Sequence, residues 1–308
     1  MTDFRDSELG RRQSWYGAKR HVKRTLSWRL PHAAMRGAIH VKPDLASPRL
    51  PAPAHMKEVA GVADGVEFVM LRPDRCEIAK ELYWGGGRRP DPADALAIDL
   101  FARLAREADV ILDVGAYTGI FTLVSSLANP DAEVHAFEVV PDVYQMLFAN
   151  CVRNDVLYRV TLHHTGVGHD GQVVTFPATS EGSALPSFYA AGLTFNEGVR
   201  IRFGSLDHFC RSLQEAGRIL MKIDVEGTEG DIFDNGRAFF AKFRPDILCE
   251  VLPDSTSPST LLDVLAPLGY NYYLVRASGM TAEPSIVPDK EFRDWFLSTK
   301  SESELPVW

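Results

Sequence analysis

Several absences narrow this sequence before any motif is read. Its four cysteines, Cys76, Cys151, Cys210 and Cys249, are far apart and form no C-x-x-C pair. That argues against a zinc module or a disulfide framework and for reduced, core-filling thiols in a cytoplasmic protein. No apolar stretch approaches the length of a membrane span, and the N-terminus lacks the basic-then-apolar order of a signal peptide. Neither an internal repeat nor the G-x-G-x-x-G fingerprint of dinucleotide sites is present.

What is there is the material of an ordinary globular protein. The chain has 308 residues, 45% of them apolar and 24% charged, enough for one full α/β core with extensions or for two small domains. The net charge of -8 is unevenly spread. Residues 1–50 hold eleven Lys/Arg against four Asp/Glu, a balance of +7 that leaves -15 for the remainder. A basic head on an acidic body suits binding to nucleic acid, acidic lipid or the body itself, or a plain solubilising extension. It carries no RNA-binding aromatic motif or zinc-finger spacing, so no nucleic-acid partner is expected. Trp15, Tyr16, Leu26, Trp28 and Leu30 would suit an amphipathic docking surface.

Pro43, Pro48, Pro51 and Pro53 mark an extended linker. The expected organisation is an extension and linker over 1–55 and one catalytic domain over 56–308, with its core at about 91–276. Val66–Leu71 reads as a strand, and Asp91-Pro92 opens an amphipathic helix. Strands follow at Val110–Val114, Glu133–Glu138, Val160–His164, Ile219–Val225, Ile247–Val251 and Tyr270–Val275. Helices start after the first two of these, over Ile120–Ala128 and from Pro141-Asp142 through Cys151. Val173–Phe176 and Val199–Phe203 look like a β excursion, with a helix over Ser205–Gln214. This alternation predicts an α/β fold whose sheet is mostly parallel, with helices on both faces.

Three segments carry chemistry. In Asp113-Val-Gly-Ala-Tyr-Thr-Gly119 a glycine turn joins strand to helix, where backbone and helix N-terminus are open to a ligand. Asp113 would repel a pyrophosphate but would accept hydrogen bonds from the ammonium of a ligand such as S-adenosylmethionine. Glu138 ends the next strand, where a carboxylate takes both ribose hydroxyls. Ile219-Leu-Met-Lys-Ile-Asp-Val-Glu-Gly227 puts Lys222, Asp224 and Glu226 on one face of an otherwise apolar strand. Open α/β sheets bind ligands at such strand ends; a structural Lys–carboxylate cluster is the alternative.

Together these segments resemble the FkbM family of S-adenosylmethionine-dependent methyltransferases. The resemblance runs over roughly residues 64–275. Leu112–Thr122, His135-Ala-Phe-Glu138 with Asn150 and Asn154 downstream, and Met221-Lys-Ile-Asp-Val-Glu-Gly227 carry it. It implies a Rossmann-like class I methyltransferase fold and transfer of a methyl group, usually to a hydroxyl of a sugar, polyketide or similar metabolite. By position, Asp113, Gly115 and Gly119 would hold the methionine end of the cofactor, with Tyr117, Thr118 and Thr122 in the same segment. Glu138, with Val139 beside it, would hold the ribose. Gly166 and Val167 would lie near the adenine, and Asp224 and Glu226 between cofactor and acceptor. The family often has Asn where Tyr117 stands, and Pro directly after the ribose Glu, where Val139-Val140 intervene here.

An alcohol acceptor benefits from a base as its proton leaves. Asp224 is the first choice for base or orienting group, then Glu226 and Glu250, with His208 behind them; Lys222 would neutralise these carboxylates. Asp224, Glu226 and Glu250 are hard oxygen groups of the kind that hold magnesium, but no further ligand stands at a predictable spacing, and no metal is assigned. Acceptor contacts are expected from Thr179–Asn196 through Ser183, Ser187, Tyr189 and Asn196. The expected partner is a small-molecule or glycan acceptor, with a homo-oligomer possible. A macromolecular acceptor and an inactive cofactor-binding protein are the alternatives. The Asn/Asp-Pro-Pro-Tyr motif of amino-group methylation is missing, which counts against the former. Intact Asp113, Glu138 and Asp224 count against the latter.

Overall fold

An eight-stranded sheet divides the molecule into two apolar layers. The computed structural model describes residues 50–176, 198–209, 213, 217–253 and 255–305, together with Trp28, Ala33 and Ala34. The basic head and the Thr179–Asn196 segment otherwise lie outside the described residues, as does the end of the helix expected over Ser205–Gln214.

The chain enters through a hairpin of β1 (Glu58–Ala63) and β2 (Val66–Leu71), which turns at Asp64-Gly65 with both residues at positive φ, as a two-residue hairpin turn requires. Helix α1 (Glu77–Trp84) follows, then α2 (Pro92–Ala105). Asp91 caps α2 by accepting from the amides of Ala93 and Asp94, and Pro92 opens its first turn. The βα units are β3 (Val110–Val114) with α3 (Ile120–Ala128), and β4 (Glu133–Phe137) with α4 (Pro141–Arg153). After β5 (Val160–His163) the chain forms a small side sheet of β6 (Gly166–Val167), β7 (Val173–Phe176) and β8 (Val199–Gly204), followed by the short α5 (Leu206–Phe209). It returns through β9 (Ile219–Ile223), α6 (Glu229–Asp234), α7 (Arg237–Phe243), β10 (Asp246–Glu250) and α8 (Ser257–Leu265). It finishes with β11 (Asn271–Arg276), β12 (Gly279–Glu283) and β13 (Asp294–Ser298).

The sheet order is β12-β11-β13-β10-β9-β3-β4-β5. The five strands from β10 to β5 are parallel, and β13 is inserted antiparallel between β10 and β11. This is the Rossmann-like α/β sheet expected, with one correction: the core does not stop near residue 276 but runs through β13 to Ser298. A five-residue strand that pairs with two distant neighbours leaves no local periodicity to read. Successive strand residues pack into opposite layers. Ile111, Leu220, Leu248 and Phe296 join the layer of Phe101, Leu123 and Leu147. Leu112, Met221, Ile247 and Trp295 join that of Phe233, Phe240 and Leu261. Chain order reverses between β3 and β9, so the crevice beyond their C-terminal ends is a topological switch point, where such sheets bind ligands.

Candidate active site

At the end of β3, Gly115 has φ 81°, and a Cβ there would collide with the carbonyl oxygen of Asp224. The two strand ends thus close on each other across a residue that must be glycine. Gly119, at φ 94°, leaves room in the same way for the side chain of Leu147. Tyr117 holds a left-handed φ of 49°, a conformation Asn tolerates better than a bulky aromatic. That is the physical content of the Tyr-for-Asn departure.

Beneath this turn Asp113 is fully buried. Its Oδ2 accepts from Thr122 Oγ1 at 2.5 Å, while Oδ1 is buried with no hydrogen-bond partner among the described residues. Burial pushes its carboxyl up to about 6, against the pull of Thr122 and Lys222. Glu138, directly after β4, accepts from the amide of Tyr117 at 2.9 Å on one oxygen and from that of Val140 at 2.7 Å on the other. Each oxygen keeps further acceptor capacity. Burial pushes Glu138 up to about 7, opposed by the amides of Val140, Tyr117 and Val139.

Across the crevice, β9 stops at Ile223, two residues short of the expected strand. The amide of Asp224 still donates to the carbonyl of Val114 at 2.9 Å, so Asp224 stands at the last rung. Glu226 leaves the strand face altogether: it sits at φ 57° in the turn before Gly227. Lys222 is buried and lies 3.2 Å from Asp294 and 3.7 Å from Asp224, with its ammonium 5.2 Å from the centre of the Phe121 ring. Burial alone would lower its pKa, but Asp294, Asp224 and Glu250 outweigh that and hold it charged well above the usual range. Glu250 lies 3.2 Å from Arg293, yet burial, then the charge and hydrogen bond of Asp224, push its carboxyl far up. Burial followed by Asp224 pushes Glu226 up to about 7.

Glu138, Lys222, Asp224, Glu226, Glu250, Arg293 and Asp294 face one cavity of about 420 Å³, in the size range of small-ligand sites. Of the residues expected from sequence, Gly115, Tyr117, Glu138, Val139, Gly166, Val167, Asp224, Glu226 and Glu250 line it. Asp113, Thr118, Gly119 and Thr122 do not; they support the glycine turn from behind. His208 is exposed, 3.8 Å from Asp170, and is not part of the lining. The sequence reading missed Arg293 and Asp294 at the start of β13, and Glu77, Glu81, Arg89 and Asp94 from around α1 and α2. No motif marks them. Among the described residues no group of three or more His, Cys, Asp or Glu is placed to hold a metal ion.

The family described as "Methyltransferase FkbM domain" matches residues 113–272, just over half of the chain. The chain belongs to the FkbM methyltransferase family. It is 47% identical over 55 residues to the 31-O-demethyl-FK506 methyltransferase FkbM of Streptomyces tacrolimicus, covering 18% of this chain and 21% of that protein. It is 28% identical over 156 residues to the tRNA1(Val) (adenine(37)-N6)-methyltransferase of Aliivibrio fischeri, covering 47% of this chain and 63% of that one. The chain thus spans less than two thirds of the length of either relative. Among solved structures, it is similar to the O-methyltransferase TomG of Streptomyces achromogenes in complex with S-adenosylmethionine. That likeness has 12% identity and a TM-score of 0.41, over 72% of this chain and 86% of that one.

The cofactor of this FkbM methyltransferase is S-adenosylmethionine, and the residues present fit it. Glu138 retains lone pairs toward the cavity for hydroxyl donors. Gly115 leaves the backbone bare at the switch point, and the cavity lining supplies the negative charge that suits a sulfonium.

Proposed function

We propose that this FkbM methyltransferase methylates a hydroxyl group on a small metabolite or glycan, with Asp224 as the base or orienting group. Glu138 would hold the ribose of the cofactor, with Gly115, Tyr117 and Val139 along the same wall and Gly166 and Val167 beside the adenine. When bound, S-adenosylmethionine supplies a methyl group already activated on sulfur. The protein's task is then alignment and proton removal.

One observation carries the reading. Asp224 and Glu250 line the same cavity, with the Lys222 ammonium 3.7 Å from Asp224 and Arg293 3.2 Å from Glu250. Burial, then the charge of Asp224, favour the neutral form of Glu250, as in carboxylate pairs that divide acid and base roles. We assign the hydroxyl proton to Asp224, at the end of β9 on the cavity wall, with Lys222 and Glu250 holding its orientation.

Asp224→Asn is expected to lower transfer by about 10²-fold or more while leaving cofactor affinity, read by calorimetry, within a few-fold. Turnover surviving the substitution would move the base elsewhere. The tRNA in the name of the Aliivibrio fischeri relative favours a macromolecular acceptor instead. The acidic lining of the cavity opposes phosphate, and methyl incorporation into bulk tRNA would overturn the small-molecule assignment. Free, buried Cys76, Cys151 and Cys249 support a cytoplasmic setting. Among the described residues no helix is long and apolar enough to cross a membrane.

A further inference from the structure

We propose that the acceptor carries an ammonium group beside the hydroxyl to be methylated, and that Glu226 is its counter-charge. This rests on the methyl-transfer reading above and names its substrate class. The argument is one of pairing. Three cations line the cavity, and each is already engaged. Arg89 pairs with Glu81 and Asp94, both at 2.8 Å. Lys222 is held by Asp294 and Asp224, and Arg293 by Glu250 at 3.2 Å. Among the described residues no lining cation is left to receive a phosphate or carboxylate.

The same pairing consumes most of the lining carboxylates. Glu138 accepts two backbone amides, and Glu77 lies 3.4 Å from Lys80. Glu226 differs: among the described residues it has no hydrogen bond or ion pair, although it lies in the cavity wall. Its electrostatic neighbours are Asp224, Arg293, Glu229 and Lys222, all from the side of the cavity formed by β9, α6 and β13, and none of them touches it closely. The turn that carries it is built firmly. The amide of Gly227 donates to Glu229 Oε1 at 2.8 Å, and Glu229 Oε2 accepts from Ser257 Oγ at 3.2 Å.

A half-buried carboxylate without a partner is costly, and a ligand cation relieves that cost where a neutral hydroxyl does so only in part. An anionic acceptor would meet Asp224, Glu226 and Asp294 with no free positive charge to offset them. The cofactor also bears an ammonium group, so the test must separate the two sources.

The experiment uses the full chain loaded with S-adenosylhomocysteine at pH 8. Three ring compounds of matched size are titrated by calorimetry: 2-aminocyclohexanol, cyclohexane-1,2-diol and 2-hydroxycyclohexanecarboxylate. The amino alcohol is expected to bind about tenfold tighter than the diol, the strength of one modest ion pair, and the hydroxy acid not at all. Glu226→Gln should erase that preference and Glu226→Asp should keep part of it, with S-adenosylhomocysteine affinity within about twofold of the wild type as the check on folding. Equal binding of the three, preference for the acid, or no binding of the amino alcohol by the loaded wild type overturns the proposal. So does a matching loss of S-adenosylhomocysteine affinity in Glu226→Gln, which would give the carboxylate to the cofactor. If the wild type binds no S-adenosylhomocysteine, it is the methyl-transfer reading itself that falls.

Discussion

Lys222 is the residue on which the wall proposed for the acceptor turns. Its charge is out of water, and its two counter-ions come from different places, Asp224 from the end of its own strand and Asp294 from β13. Removing one partner of a buried ion pair strands the other charge. Asp294→Asn is therefore expected to destabilise the protein by about 3 kcal/mol, and Lys222→Met in the same background should recover part of that loss. Urea denaturation of the two variants checks both. The sequence made Lys222 and Asp224 legible because strand alternation put them on one face. It hid Asp294, since nothing within twenty residues of it repeats a motif, and it misplaced Glu226, because a left-handed backbone after Val225 cannot be read from residue types that so rarely adopt it.

At the scale of elements, the entry hairpin is fastened to the cofactor loop by α4. Asn150 and Asn154, one helical turn apart, serve the open edge of β2: they accept from the amides of Leu71 and Val69 at 2.8 Å each. Asn150 also donates to the carbonyl of Thr118 at 2.7 Å, and Asn154 to that of Val69. Asn150→Ala should cost about 1–3 kcal/mol, the price of buried groups left unpaired, and should also weaken S-adenosylhomocysteine binding by loosening the Thr118 turn. Asn154→Ala should cost comparable stability with cofactor affinity unchanged. Calorimetry and thermal unfolding of the pair separate the effects. The βα units were readable because each is a local pattern, a buried strand followed by a helix that opens at Gly119 or at Pro141. The hairpin's first strand, α1, β12 and β13 were not, because their pairing partners are remote or their pattern is too short to carry a period.

For the whole molecule, the consequence is a pH dependence of stability set by buried carboxylates in the cavity wall and, in Asp113, behind it. Asp94 and Asp113 rise to about 6, and Glu138 and Glu226 to about 7, in each case chiefly through burial. A group whose folded pKa is raised binds more protons folded than unfolded. The stability it contributes is full below its unfolded value of 3.8 or 4.5 and is lost as pH rises through 6 to 7. Asp64 and Asp74 work the other way. The hydrogen bond from Arg103 depresses Asp64, and Arg72 depresses Asp74 against its burial, so their contribution is lost as pH falls below 3.8. The ligand-free protein is therefore expected to be most stable near pH 5 and to unfold at a lower temperature at pH 8, by scanning calorimetry. A flat profile across that range would mean that the cavity carboxylates are already paired in solution.

The matched family segment ends at Tyr272, but the cavity does not. Arg89 and Asp94 reach it from before residue 113, and Arg293 and Asp294 from after residue 272. A seam therefore runs through the pocket, with the wall proposed for the cofactor inside the matched segment and much of the facing wall supplied by its flanks. On the proposed reading, exchange of those flanks would redraw what the enzyme accepts while the methyl donor's seat stays in place.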